Sequence, residues 1–162
     1  MAKETNINEE ITSCYCRFLD VKAWDEKELD WSGKKFYRVP HRSWFYVPKE
    51  NITEKILQAY EEITAKGYEA IPGGLMLFRK GFFHGEILIE IKNGSSDDPK
   101  VKIFLGHILT KVYVGPRRDL AEIEKTFPPT VLNIYYAYFS CDICTPDANE
   151  QKTVLIGEKR YY

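Results

Sequence analysis

The sequence predicts an α+β fold in which duplicated strand–helix–strand–strand units form one curved antiparallel sheet with two helices on one face. One clearly amphipathic segment, residues 52–66, stands in a chain otherwise rich in β-forming residues. A polar loop at residues 93–99 divides the chain into two parts with the same order of elements, although their residue identity is poor. We therefore expect a single domain, residues 1–162, with pseudo-repeats at about 33–93 and 100–160.

An N-terminal segment, residues 10–35, precedes both repeats. Residues 11–22 contain mixed β-forming residues and predict a strand. Residues 24–35 are charged and end in Ser-Gly. This composition is typical of a surface excursion, with at most one helical turn.

The first repeat begins with the β-rich residues 36–47, in which Pro40 forces a bend or an edge position because it cannot donate to a neighbouring strand. The helix at 52–66 has Asn51 as its N-cap, and Gly67 is suited to the position after its last turn.

Two strands complete the first repeat. A turn at 72–74 leads into a short apolar strand, residues 75–78. In residues 86–92, Ile87, Ile89 and Ile91 alternate with mostly charged residues. This alternation predicts a strand with one buried face.

The second repeat follows the same order. Residues 101–114 form a long β-rich run, in which Gly106 predicts a bulge or bend. Residues 117–127 predict a short helix, and residues 132–140 and 153–156 predict the closing strands.

Charge and hydropathy exclude several classes of protein. Lys and Arg number 23 against 24 Asp and Glu, a formal net charge of −1, which argues against a strongly basic nucleic-acid-binding domain. No apolar run reaches the roughly 18 residues of a membrane span, and the N-terminus lacks the apolar stretch of a signal peptide. We expect a cytoplasmic protein without a cofactor and without a nucleic-acid or membrane partner. A homodimer is compatible with the sequence.

Three stretches of the chain carry a resemblance to a known superfamily. They are residues 72–78 with 85–91, the Gly-Pro entry into the second helix at 111–116, and residues 135–138 with 152–156. Over roughly residues 33–160 the chain resembles the GyrI-like, or bacterial transcription-activator effector-binding, superfamily, which includes the SOUL haem-binding proteins. It departs from the family pattern in its short second helix, its extra N-terminal segment and the absence of a Tyr shortly after the second Gly-Pro.

The resemblance implies a cleft lined by aromatic side chains with a buried acidic residue, which takes amphipathic or cationic small molecules. Some family members are the sensing half of transcription regulators, some oppose inhibitors of DNA gyrase, and a subgroup hydrolyses reactive cyclopropane-containing natural products. The first 35 residues do not hold three helical patterns, so this chain has no room for a helix-turn-helix. The resemblance therefore implies a protein that acts alone.

Two carboxylates are candidates for the acidic residue. Glu86 and Glu90 share a strand face with Leu88. On an open face they would be solvated surface residues. On a cleft wall one of them would be partly desolvated, and it could then pair with a cation or act as a general base.

The chain is rich in aromatic residues, with 3 Trp, 11 Tyr and 9 Phe. Those that fall on predicted strands with shared parity, or at strand ends, are the candidate cleft lining: Trp44, Tyr46, Phe78, Tyr113, Tyr136 and Tyr138. A wall of such rings suits planar or cationic ligands, through stacking and cation–π attraction. Ordinary core packing is the alternative for any single ring.

The four cysteines form two close pairs, Cys14 with Cys16 and Cys141 with Cys144. All four could bind zinc only if the pairs met in space. Free thiols in a reducing compartment are the simpler interpretation. The three histidines are isolated from one another in the sequence and show neither metal-ligand nor triad spacing.

These observations lead to one main prediction of function and two alternatives. The main prediction is a stand-alone small-molecule-binding domain, whose aromatic cleft takes an amphipathic or cationic ligand with Glu86 or Glu90 as acidic partner. The first alternative is a hydrolase of reactive small molecules, in which an acidic residue orients water and a Tyr hydroxyl steadies the departing oxygen. The second is a protein-interaction module, such as a gyrase-directed inhibitor or protector.

Overall fold

The structure, a computed structural model, describes residues 19–160. The strands of this part are β1 (Lys27–Asp30), β2 (Lys35–Trp44), β3 (Val47–Pro48), β4 (Met76–Arg79), β5 (His84–Ile91), β6 (Val101–Ile103), β7 (His107–Val114), β8 (Val131–Tyr138) and β9 (Lys152–Lys159). The α-helices are α1 (Val21–Trp24), α2 (Ile52–Ala65) and α3 (Leu120–Glu124), and two 3-10 turns lie at Arg117–Asp119 and Ala148–Glu150. Within these residues no helix has the length and apolar character that crossing a membrane requires.

The strands form one open antiparallel sheet in the order β1-β7-β9-β8-β4-β5-β2-β3, with β6 also paired to β2. The prediction of an α+β fold with an antiparallel sheet is therefore confirmed. Strands β8 and β4 adjoin at the centre, where the register pairs Phe78 with Tyr136. This junction joins four strands on one side, β1-β7-β9-β8, to four on the other, β4-β5-β2-β3, with β6 beside β2.

The helices α2 and α3 pack on one face of the sheet. Ile63 of α2 belongs to a core cluster with Tyr37 and the isoleucines of β5. Leu120 of α3 belongs to another cluster with Tyr136 of β8. Phe78 packs against both clusters, which places the two helices on the same side of the central strands.

The opposite face of the sheet is covered as well. Leu19, Trp31 and Phe104 form a third cluster there, with Leu88 of β5 among its members. Both faces of β5 are consequently buried, from Gly85 to its last residue. The prediction of one buried face for this strand is wrong, because the segments before β2 and after β6 cover the second face.

The N-terminal segment differs from its prediction. The strand predicted at 11–22 lies mostly outside the described residues, and its last two residues form the start of α1, capped by the Asp20 carboxylate. The excursion predicted at 24–35 contains β1, which pairs with β7 at the sheet edge. A strand forms in this charged stretch because Leu29 packs against the third cluster while its neighbours face solvent.

Three other predicted elements are shorter than expected or interrupted. The run 101–114 breaks at 104–106, so that β6 pairs with β2 and β7 pairs with β9. The helix predicted at 117–127 consists of a 3-10 turn and the five residues of α3. In β2, Pro40 lies between the residues that pair with β6 and those that pair with β3. Its missing N–H therefore deprives neither of these strands of a hydrogen-bond donor.

We expect Leu88→Ala to lower the free energy of unfolding by about 2–5 kcal/mol, because Leu88 is fully buried and the substitution leaves a cavity. Leu57→Ala is the matched control, since Leu57 is exposed on α2 and Ala suits a helix. Urea denaturation followed by circular dichroism measures both. Equal stability of the two variants would contradict the two-sided core.

Candidate functional site

The central junction of the sheet carries a group of rings in tilted contact with one another, on the face that bears the helices. The ring centroids of Phe78 and Tyr138 are 5.1 Å apart, and those of Tyr136 and Tyr138 are 6.3 Å apart. Tyr136 and Tyr138 share this face because side chains alternate along a strand. We call the surface formed by these three rings the helix-side cleft.

A cavity of about 190 Å³ adjoins the helix-side cleft. It is lined by His41, Ser43, Tyr46, Pro48, Ile52, Phe78, Arg79, Lys80, Ile87 and Tyr138. Its walls are largely apolar, and two of its polar side chains are deeply buried: His41 is 8% exposed and Ser43 is 6% exposed. A mainly apolar pocket with a few convergent polar groups is the usual form of a ligand or active site.

His41 and Ser43 reach the cavity because they lie two residues apart on β2 and therefore point to the same face. The register places His41 opposite Gly85 of β5. A Cβ atom on Gly85 would lie 2.5 Å from the His41 Cε1 atom, so only glycine leaves room for this imidazole. Among residues 19–160 the ring makes one polar contact, 3.5 Å from Nδ1 to the Arg42 carbonyl oxygen.

The phenol groups of the cleft remain protonated at neutral pH. Burial raises the pKa of Tyr138, and the Arg117 guanidinium, 4.1 Å from the ring centroid, acts in the opposite direction. Burial also raises the pKa of Tyr136, and the Glu124 carboxylate that accepts its hydrogen bond raises it further. Both hydroxyls are thus hydrogen-bond donors.

Charged side chains from α3 and from the turn after β4 border the rings. Glu124 accepts the Tyr136 hydroxyl, while the Lys80 ammonium lies 5.4 Å from the centroid of the same ring. On the same side of the sheet, the Tyr113 hydroxyl donates to Asp119 at 3.0 Å. Cations as well as carboxylates therefore reach this side of the sheet.

The structure brings together four of the predicted cleft residues, places a fifth nearby and separates the other three. Tyr46, Phe78, Tyr136 and Tyr138 meet at the cleft and its cavity, as just described. Tyr113 lies nearby in the same core cluster as Phe78. Trp44 lies in an exposed group of rings with Phe45 and Phe83.

Glu86 and Glu90 lie on the opposite face of the sheet, each with its own partners. Glu86 bonds to Arg38 at 3.2 Å and to Arg79 at 3.3 Å. Glu90 accepts the backbone N–H of Leu75 at 2.7 Å and pairs with a lysine at 2.9 Å. Both carboxylates are buried, and neither lines the 190 Å³ cavity.

Several residues of the site were not among those predicted. His41 and Ser43 share strand parity with the apolar residues Tyr37 and Val39 of β2, and this signal could have found them. Lys80 belongs to none of the patterns that selected the candidate residues. Glu124 could not be found from spacing, since the helix that carries it is shorter and begins later than predicted.

Of the candidate zinc ligands, Cys14 and Cys16 lie outside the described residues. The sulfur atoms of Cys141 and Cys144 are 3.5 Å apart. Within residues 19–160, no group of three or more His, Cys, Asp or Glu side chains could hold a metal ion.

Comparison with protein families matches residues 5–158 to a family described as "Bacterial hydrolase". The crystal structure of a hydrolase from Listeria innocua is similar to this chain with a TM-score of 0.51 and 13% identity, covering 84% of this chain and 92% of the other. That of an uncharacterized conserved protein from Listeria innocua gives a TM-score of 0.48 and 15% identity, covering 82% and 91%. No curated protein matches the sequence. At such identity the first structure shows a shared fold alone.

We expect Glu124→Gln to lower the pKa of Tyr136, because it removes the negative charge that opposes a phenolate. The pKa of Tyr136 is higher in the folded protein than the value of about 10 expected in the unfolded chain. This difference stabilises the folded state fully at pH values below about 10, and the stabilisation is lost as the pH rises through the folded-state pKa. Spectrophotometric titration, with Tyr136→Phe to assign the signal, measures the change. Glu122→Gln is the control, because Glu122 is exposed on α3 and pairs with Lys125. An unchanged titration of Tyr136 would contradict the contact.

Proposed function

This chain belongs to the bacterial hydrolase family, and from that premise we propose that it hydrolyses small electrophilic molecules in the cavity of the helix-side cleft. The observation that carries the proposal is the convergence of His41, Ser43 and Tyr138 on one largely apolar cavity of about 190 Å³. Such a cavity excludes bulk water and strengthens each polar contact made inside it.

The main prediction from the sequence, a stand-alone binding domain for amphipathic or cationic ligands, is wrong. The match to a family described as bacterial hydrolase overturns it and favours the hydrolase alternative. The cavity also differs from one suited to cations, because Lys80 lines it and none of the described carboxylates does, while the Arg79 guanidinium is paired with Glu86 on the opposite face. The substrates that fit this lining are neutral or anionic.

In this proposal His41 is the general base. A neutral imidazole has a ring nitrogen that can accept a proton from water. Ser43, two residues further along β2, lines the same cavity. We place the attacking water in the cavity beside His41, where the Ser43 hydroxyl orients it by a hydrogen bond.

The Tyr138 hydroxyl is the general acid. Water attacks the electrophilic ring carbon of the substrate and gives one proton to His41, while the strained-ring bond at that carbon breaks and its electron pair passes to an oxygen, which is the ring oxygen of an epoxide or a carbonyl oxygen conjugated with a cyclopropane. Tyr138 donates its proton to that oxygen, and proton transfer from the imidazolium to the phenolate, directly or through water, restores both groups. Lys80 is placed to stabilise the negative charge that develops on the leaving oxygen.

A GyrI-like, duplicated fold is part of the same proposal. The elements β2-α2-β4-β5 and β7-α3-β8-β9 have the same order, and their strands occupy equivalent places on the two sides of the central junction. This strand order supports duplication. Since a subgroup of the GyrI-like superfamily hydrolyses cyclopropane-containing compounds, strained-ring electrophiles are the first substrates to test.

The proposal predicts catalytic turnover of strained-ring electrophiles, with His41→Gln about 10²–10⁴-fold slower. His84→Gln is the matched control, because His84 is exposed and lies outside the cavity. Product formation from cyclopropane and epoxide probes, followed by chromatography, measures turnover. We expect kcat/KM to rise with pH, because the reaction requires His41 in its neutral form. Stoichiometric consumption of the probe, or full activity of folded His41→Gln, would refute the assignment.

Tyr138→Phe removes the proposed proton donor and keeps the ring that packs on Phe78. We expect kcat to fall about tenfold or more while KM changes little, since the lost hydrogen bond forms mainly as the leaving group departs. Tyr60→Phe, at an exposed position of α2, is the control. If Glu124→Gln abolishes turnover and Tyr138→Phe does not, water activation belongs to the carboxylate instead.

A further inference from the structure

Two neighbouring turns of the chain carry an exposed group of apolar side chains. We call this group the aromatic tip; it consists of Trp44, Phe45, Tyr46, Val47, Phe82 and Phe83. Every member except Phe82 is between 50% and 62% exposed. Its rings contact one another in series across the two turns, at centroid distances of 4.6 to 5.7 Å. The tip is therefore an ordered apolar surface and not a set of scattered side chains.

The backbone of the first turn is strained in a way that the fold does not require. Phe45 has a φ of 49° and Tyr46 a φ of 66°, in the left-handed region that bulky residues rarely adopt. A two-residue hairpin turn of this kind normally takes Asn-Gly or Asp-Gly. Two aromatic residues here disfavour the turn and keep large rings in solvent, which is typical of a functional contact.

The lysines beside the aromatic tip give it a positive charge. Residues 41–49 and 79–85 contain no Asp or Glu. The two arginines of these stretches pair with the carboxylates that follow them, Arg42 with Glu50 and Arg79 with Glu86. Lys49 and Lys80 supply the positive charge of the two turns, in a chain whose net charge is −1.

We propose that the aromatic tip docks on the surface of an anionic lipid bilayer. Trp and Tyr favour the boundary between lipid headgroups and acyl chains, and Phe adds apolar area. Lys and Arg beside them are attracted to anionic headgroups. The expectation of no membrane partner rested on the absence of a spanning segment, whereas this contact requires none.

Docking in this orientation has a consequence for the cavity. Tyr46 belongs to the tip and also lines the cavity, and Lys80, in the second turn, lines it as well. The cavity therefore lies beside the docking surface, and an apolar molecule dissolved in the bilayer has a short path into it.

Sedimentation with lipid vesicles tests the proposal on the full chain. We expect binding to vesicles of mixed phosphatidylserine and phosphatidylcholine, weaker binding to phosphatidylcholine alone, and loss of binding as salt screens the charges. Trp44→Ser/Phe45→Ser should weaken binding about tenfold or more. Leu105→Ser is the matched control, because Leu105 is highly exposed but lies outside the tip. Lys49→Glu should weaken binding to the anionic vesicles specifically.

Tryptophan fluorescence gives a second readout. Trp31 is buried and Trp24 is half-buried, so a blue shift on adding anionic vesicles would report Trp44 and should vanish in Trp44→Phe. Absence of binding by the folded protein would overturn the proposal. Self-association that the Trp44→Ser/Phe45→Ser variant abolishes, without vesicle binding, would also overturn it and assign the tip to a dimer. Neither outcome depends on hydrolysis.

Discussion

The contact between β4 and β8 is the constraint on which the site depends. The register joins these strands through one residue pair, Phe78 with Tyr136, so side-chain packing has to hold the two halves of the sheet together. Phe78 does so by packing against the clusters of both helices, and its contact with the Tyr138 ring extends this packing. The same rings form the helix-side cleft, and the 190 Å³ cavity lies beside them.

Burial of both sheet faces explains why the strand carboxylates and the aromatic rings lie apart. Glu86 faces the side covered by Trp31 and Phe104, where an unpaired charge would strongly destabilise the fold, and two arginines accordingly surround it. These pairs hold the carboxylate in place and leave it little freedom to orient water. On the helix side, the equivalent buried polar groups of the cavity are His41 and Ser43, which make few contacts within the described residues.

The parts of this arrangement that depend on local sequence could be predicted. Asn51 caps α2 as expected, and strand parity places Tyr136 and Tyr138 on one face. The alternation of side chains along a strand did not predict where Trp44 and Tyr46 lie. Two consecutive residues at the turn, Phe45 and Tyr46, have left-handed backbone conformations, which change the direction of the side chains. The edge strand β1 and the deep burial of Glu86 could not be predicted, since both depend on contacts between distant segments. The choice between binding and hydrolysis required the family match.

A chain with balanced charge can carry positive charge locally because its carboxylates are unevenly placed. Glu86 and Glu90 lie under the opposite face, where Glu86 pairs with Arg38 and Arg79, and Asp98 pairs with Lys66 beyond α2. Lys49 and Lys80 lie with the aromatic rings in the two turns beside the cavity. An electrophile that approaches through these turns meets apolar surface first and positive charge next, and only inside the cavity does it reach an imidazole. An approach that passes apolar surface and then positive charge selects neutral or anionic apolar molecules before they form any hydrogen bond in the cavity.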